Sequence, residues 1–363
     1  MTLLQLDYVP YARVSQALSR LDAEGRQVLG IASFGRTPPD AALLPQAVAD
    51  VPWPHVGLPS LQHAVDGWVE VWSLAPDAPR VTQGVFESTD GGTGERHHAG
   101  VAYSRSGELG FAWLAAPLGN DDLALAGRTQ QAYDAVWQAM RTLGLPHAWR
   151  VWNYLPDILG SRQGEERYRI FNAGRLAAFQ AHATQVDSPP PAACALGQPE
   201  GASGPLVIYA LLGAQAALPI ENPRQVSAYR YPPQYGQQRP QFSRASVAQL
   251  GGQGLAFLSG TASIVGHASV HAGDVHAQTL ETLRNIDALL DQIRQDSGQA
   301  WAHSQLAYKA YVRHADDLPV VRELMRAHLG PDATLVFVQA VVCRPDLLVE
   351  IEASAARSLP LPF

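Results

Sequence analysis

Near the C-terminus, the segment CRPDLLVEIEA (Cys343 to Ala353) sets a thiol and two carboxylates close together. Read as a hairpin turning at Arg344-Pro345-Asp346-Leu347, it pairs Cys343 with Leu348 and Val341 with Glu350. Side chains alternate across a strand. Gln339, Val341, Cys343, Leu348, Glu350 and Glu352 then share one face, with Cys343 diagonal to Glu350. Val342, Leu347, Val349 and Ile351 form the opposite, apolar face, which belongs to the core. A half-buried glutamate beside another acid has a raised pKa and makes a proton donor. The plain alternative is an ordinary solvated strand face, with a cysteine that packs as a small hydrophobe. Glu352 is read as solvated.

Cations and rings cluster elsewhere. Asn222 to Ala245 (NPRQVSAYRYPPQYGQQRPQFSRA) interleaves Arg224, Arg230, Arg239 and Arg244 with Tyr229, Tyr231 and Tyr235, and YRIFNAGR adds Tyr168, Arg169 and Arg175. Guanidinium forks bind carboxylates in bidentate fashion. Lys309 is the only lysine, and therefore the only Schiff-base candidate. Other signals carry less. His97, His98, His267, His271 and His276 have no carboxylate or Cys at metal-ligand spacing. GGTG (Gly91 to Gly94) precedes no helix with Lys-Ser/Thr, and Ser259 has no evident His-Asp partners. Cys194, in a Pro/Ala-rich stretch, is given no role.

These residues need elements to hold them, and one pattern is written twice. The first copy starts near Arg96 and contains a helix over Ala126 to Pro146, a strand AWRVWNYLPDI, a helix ERYRIFNAGRLAAFQ and a strand Pro205 to Gly213. The second contains QFSRASVAQLGGQGLAFLSGTASIVG, a helix over Val275 to Ile293, a strand LAYKAYVRHADDLP, a helix VVRELMRAHLG and the terminal hairpin. Leu280, Leu283, Ile286, Leu289 and Ile293 form an apolar stripe at helical spacing, and Gly330-Pro331 stops the second helix. Helices therefore cover one face of a mixed sheet. Gln185 to Gly204 is a loop by composition. The first ninety residues are less regular, with strands suggested by Trp53, Trp68, Val69, Val71 and Trp72. A boundary near Pro223 divides an N-terminal domain (1–222, holding a divergent copy) from a C-terminal one (223–363).

Composition narrows the classes. The 363 residues carry a net charge of −7, which argues against a broad nucleic-acid footprint. No apolar run approaches the roughly 18 residues of a membrane span. Two distant cysteines match no zinc or redox spacing, and favour a reducing cytoplasm.

SGTASIVG (Ser259 to Gly266), GDVHAQTLETLRNIDALL (Gly273 to Leu290) and RPDLLVEIEA (Arg344 to Ala353) together resemble the RidA/YjgF superfamily. The doubled layout, with FSRA (Phe242 to Ala245) and FNAGR (Phe171 to Arg175), resembles the chorismatases, in the branch that forms 3-hydroxybenzoate. The resemblance implies an α/β (α+β) fold of two RidA/YjgF-like, chorismate-mutase-like repeats. It implies chorismate as substrate, and hydroxybenzoate (3-hydroxy, with 4-hydroxy left open) plus pyruvate as products. Glu350 then takes the role of proton donor to the enolpyruvyl methylene, and Cys343 marks the hydroxybenzoate branch. Such a dianionic substrate needs cations and rings, for which Arg230, Tyr235 and Arg244 are chosen, with Tyr229 beside them and Arg169 and Arg175 from the first copy. No metal or organic cofactor is expected. The assembly is either a homotrimer or a monomer with internal pseudo-symmetry. Three alternatives stay open: a diol-forming chorismate hydrolase, an imine deaminase, and a non-catalytic ligand-binding protein. Against the deaminase, TLVFVQAVVC lacks the arginine such enzymes carry.

Overall fold

Alternation of side chains along each strand sorts this chain into three sheets that share one centre. The computed structural model describes residues 3–40, 53–61, 66–87, 100–118, 124–161, 164–182, 190–199, 201–235 and 238–356. His97, His98 and Gly91 to Gly94 lie outside them. The first sheet has β1 (Leu4–Pro10), β2 (Gln27–Gly35), β3 (His55–Val56) and β4 (Gly67–Leu74), in the order β1-β4-β2-β3. Trp68 and Trp72 of β4 face the centre, whereas Val69 and Val71 pack on α1 (Val14–Ala23). Trp53, expected on a strand, lies outside these strands.

The second sheet contains β5 (Thr82–Phe86), β6 (Val101–Ser106), β7 (Leu109–Pro117), β8 (His147–Leu155), β9 (Ala192–Gly197) and β10 (Pro205–Gly213), with α2 (Leu125–Leu143) and α3 (Arg167–His182) on its outer face. The third contains β11 (Leu218–Ile220), β12 (Ala245–Leu250) and β13 (Gln253–Ala262). A small ribbon, β14 (Ile264–Val265) and β15 (Ala268–Ser269), leads into α4 (Val275–Ser297). Then follow β16 (Ala307–Val312), α5 (Leu318–Leu329), β17 (Thr334–Gln339), β18 (Val341–Val342) and β19 (Val349–Ser354). The order β6-β7-β10-β8-β9 in one sheet equals β12-β13-β19-β16-β17 in the other. In both, the last pair is parallel. The repeat read from the sequence is thus a repeat of topology, with helices on one face of each sheet.

Three expectations need correction. Gln185 to Gly204 is not all loop, because β9 runs through it; its run of Ala, Cys and Gly gives no alternating signal. The terminal segment is not a hairpin either. β17 runs parallel to β16, and β19 inserts antiparallel between β16 and β13, so Glu350 faces Tyr311 and Ala262 across the strands. β18 leaves its own unit and pairs with β9 of the first, Val341 with Gly197 and Val342 with Leu196. Val349 and Ile351 do pack under the helices, but Val342 and Leu347 belong to the central core. Finally, β11 precedes the boundary drawn at residue 222 yet pairs with β12 of the third sheet.

At the centre, where the inner faces meet, the apolar packing encloses charge. Lys309 is fully buried, with Nζ 2.5 Å from Glu70 Oε1 and 2.9 Å from Glu352 Oε1. Arg150 Nη2 donates to Glu352 Oε2 at 2.6 Å and Trp152 Nε1 to Glu352 Oε1 at 2.8 Å, while Tyr209 OH donates to Glu70 Oε2 at 2.9 Å. Glu352 is therefore not solvated, and Lys309 is not a free amine for Schiff-base chemistry. Burial alone would discharge both groups. The carboxylates lift Lys309, and Lys309 with Arg150 holds Glu352 below its ordinary range. Among the described residues Glu70 has one cation, Lys309, beside the Tyr209 hydroxyl, and burial pushes it upward. Each sheet supplies a member: Glu70 from the first, Arg150 and Tyr209 from the second, Lys309 and Glu352 from the third. Removing one partner of such a buried pair costs about 3–5 kcal/mol. Lys309→Met should lower the unfolding free energy by about that amount, measured by chemical denaturation; a loss under about 1 kcal/mol would show that the cluster does not hold the sheets together.

Candidate active site

Six of the eight residues selected from the sequence meet at the seam between the second and third sheets. A cavity of about 710 Å³ opens there, within the size range of small-molecule sites. From the first unit come Tyr168, Arg169 and Arg175 of α3, and Ala193 and Cys194 of β9. From the second come the segment around Tyr231, Tyr235 and Arg244, Gly260 of β13, the turn Cys343 to Leu347, and Glu350 of β19. The seam is pinned by serines. Ser246 and Ser259 hydroxyls accept from the Ala192 and Ala193 amides, each at 2.9 Å, and Ser259 Oγ donates to Ser243 O at 2.6 Å. Ser259 is a pin, not a nucleophile.

Glu350 is the chemical focus. It is 4% exposed, and β13 bulges opposite its strand: Leu258 pairs with Ala353 but Thr261 with Ile351, leaving Ser259 and Gly260 across from one residue. Bulges of this kind re-aim side chains beside active sites. Here the bulge brings Gly260 against the acid, where an added Cβ would overlap Glu350 Oε1 and crowd Cys194. Burial first, then the ionised Glu352, raises the Glu350 pKa to about 8, although Arg150 and Arg244 pull it down. At neutral pH this carboxyl carries its proton. Such an environment is the one a general acid needs.

Two thiols flank it. Burial and Glu350 push Cys343 up to about 12, against Arg344 and Tyr168. Burial likewise raises Cys194. Both are therefore neutral thiols and not nucleophilic thiolates.

Arginines supply the positive side. Arg175 is 1% exposed, lies over the rings of Tyr133 and Phe179, and has no hydrogen-bond partner for Nε or Nη2 among the described residues. Arg244, 3% exposed, gives Nη2 to Val226 O and Tyr231 OH, and its Nε is likewise without a partner. Buried guanidinium groups with open donors, lining a cavity, are prepared for an anion. Arg344 stacks over Tyr235 at 4.1 Å, anchored by donation to His267 O at 2.9 Å. Tyr235 OH contacts His267 Nδ1 at 3.2 Å.

The structure brings together Glu350, Cys343, Arg169, Arg175, Tyr235 and Arg244. It leaves out Tyr229 and Arg230, which pair with each other outside the cavity, Arg230 exposed to solvent. The 3-10 turn Ala228–Arg230 explains this: it buries Ala228 and sends the next two side chains outward. Sequence reasoning missed Arg344 and Cys194. Arg344 was assigned only to a turn, and Cys194 was hidden by the unrecognised strand β9. Tyr231, which receives Arg244, was in the aromatic cluster but not selected.

Comparison with known proteins gives a consistent picture. Residues 86–212 match the family model "Chorismatase FkbO/Hyg5-like, N-terminal". The chain is 33% identical to a 3-hydroxybenzoate synthase of Streptomyces hygroscopicus, covering 90% of this chain and 91% of that protein. It is 34% identical to a chorismatase of Streptomyces rapamycinicus, covering 78% and 88%. A chorismatase crystal structure superposes with a TM-score of 0.77 at 26% identity, over 97% of this chain and 98% of that one.

The electrostatic account of Glu350 is checkable without any substrate. Carbon-detected NMR of the glutamate carboxyls should show Glu350 titrating near pH 8. In Glu352→Gln its midpoint should move to lower pH, since a neighbouring negative charge that opposes ionisation is gone. An unmoved midpoint would mean that burial alone sets the value.

Proposed function

The chain belongs to the chorismatase family, and from that premise we propose that it converts chorismate into 3-hydroxybenzoate and pyruvate. The observation that carries this reading is a buried glutamic acid that shares an arginine-lined cavity with the Cys343 thiol. Glu350 delivers its proton to the exocyclic methylene of the enolpyruvyl ether. The ether carbon becomes an oxocarbenium centre, and the ring–oxygen bond breaks as that oxygen becomes the ketone of pyruvate. The neighbouring ring hydroxyl oxygen bonds to the vacated carbon as it gives up its proton, and its original carbon–oxygen bond then opens as the oxygen regains a proton. Loss of the C–H proton at the vacated carbon restores aromaticity and recharges Glu350. Hydroxybenzoate and pyruvate together contain the atoms of chorismate with none added. The diol route adds one water, so a site that excludes water favours the aromatic product.

The substrate is a dianion, and two buried guanidinium groups with open donors, Arg175 and Arg244, stand at opposite sides of the seam as its partners, with Arg169, Arg344 and Tyr235 at the rim. Cys343, a neutral thiol of small volume next to Glu350, occupies space that a nucleophilic water would otherwise hold. The cavity lies within one chain, so the reading requires no second subunit to complete it.

Incubation with chorismate, coupled to a pyruvate assay and chromatography of the aromatic product, tests the activity. Glu350→Gln should lower turnover by at least about a hundredfold with substrate binding retained, as loss of a general acid does; near-normal turnover would remove the assignment. In Cys343→Ala, pyruvate release should survive better than hydroxybenzoate formation, and product should shift toward a dihydroxycyclohexadiene carboxylate, seen by mass and by loss of aromatic absorbance. An unchanged product ratio would reduce Cys343 to a packing residue.

A further inference from the structure

On the outer helical layer of the third sheet, across that sheet from the cavity, three side chains aim their ligand atoms at one point. We propose that Asp287 of α4, His303 of the 3-10 turn His303–Gln305 and His328 of α5 form a binding site for a divalent transition metal of the zinc class. His303 Nε2 lies 3.0 Å from Asp287 Oδ1, and His328 Nε2 lies 3.1 Å from Oδ1 and 3.0 Å from Oδ2. All three ligand atoms fall within 4.8 Å of one another. Ligands about 2.0–2.1 Å from a tetrahedral zinc are about 3.3 Å apart, so small shifts admit the ion. Among the described residues, no other three such side chains converge in this way.

The surroundings suit a ligand set more than a chance surface network. His303 is oriented from behind: its Nδ1 meets the hydroxyl of the buried Tyr308 at 2.7 Å. Metal-bound imidazoles hold their second nitrogen in this manner, which fixes ring orientation and tautomer. The two rings stand edge to face, 5.5 Å between centroids, so both present Nε2 to the same carboxylate without clashing. Two imidazoles and one carboxylate favour zinc, nickel or copper over magnesium or calcium, which take oxygen ligands. The three residues come from separate elements, and side-chain exposures of 26–40% leave a coordination position facing solvent. None of the three lines the cavity at the seam, so the ion would act as a clasp joining α4, the 3-10 turn and α5.

The test uses full-length protein without a histidine tag, stripped with chelator and titrated with zinc chloride in a calorimeter. The expected result is one saturable equivalent with micromolar or tighter affinity and a raised melting temperature. That equivalent should disappear in Asp287→Asn and in His328→Ala, both at partly exposed positions that tolerate change. Tyr308→Phe keeps the packing and should weaken binding by roughly 10–100-fold, as loss of an outer partner does. Pyruvate release from chorismate should be the same in His328→Ala as in the parent protein. Absence of a stoichiometric equivalent, or its persistence in both Asp287→Asn and His328→Ala, would overturn the site.

Discussion

One buried ammonium group organises this molecule. Lys309 sits where three sheets meet, and it satisfies one carboxylate from the first sheet and one from its own, the latter shared with Arg150 of the second. Apolar packing is tolerant of small slides, whereas ion pairs in a medium of low dielectric are not. The cluster therefore fixes the register of the sheets, and the seam that carries the cavity inherits that precision. It also fixes a charge. Because Lys309 and Arg150 keep Glu352 ionised, Glu350, two residues along the same face of β19, faces a permanent negative neighbour while buried. The ionised Glu352 and the protonated Glu350 are two consequences of one arrangement.

How much of this was legible in the sequence depended on periodicity. The helices carry apolar stripes at helical spacing and the long strands β8, β10, β13 and β16 read as apolar and aromatic runs buried on both faces, and the doubled layout followed from them. Alternation only put Glu350 and Cys343 on one face, by way of a hairpin that the structure does not have, and the family resemblance gave them their roles; both line the cavity, because β19 keeps its inner face and the turn after β18 returns to it. Where side chains are small, the reading failed. β9 is built from Ala, Cys, Leu and Gly because its neighbours crowd it, and an added Cβ at Gly197 would overlap Leu155 O and Ile158. Such a strand leaves no hydrophobic rhythm, and Cys194 vanished with it. Arg230 was selected on composition, which cannot tell which way a one-turn 3-10 segment points its side chains. The centre was invisible for another reason: its partners are separated by up to 239 positions, and a charged residue inside an apolar pattern reads as solvated.

The two units also differ in an instructive way. In β8 and β16 the inner-facing residues correspond, and Tyr154 and Tyr311 touch through their hydroxyls at 2.8 Å. Following the strand pairings from those positions, Val207 and Tyr209 of β10 stand where β19 has Glu350 and Glu352. The first unit keeps the frame and has no acid at that place; it contributes arginines and a strand wall instead.

The repetition of one strand order within a single chain therefore amounts to a division of labour. In a ring of identical subunits, every join carries the same residues, and a substitution that improves one half of a pocket is imposed on all the others. Here the halves are encoded separately. The acid, the bulge, the thiol turn and Arg244 can vary on one side while Arg169, Arg175 and the β9 wall vary on the other, and the remaining contacts among the sheets serve as core.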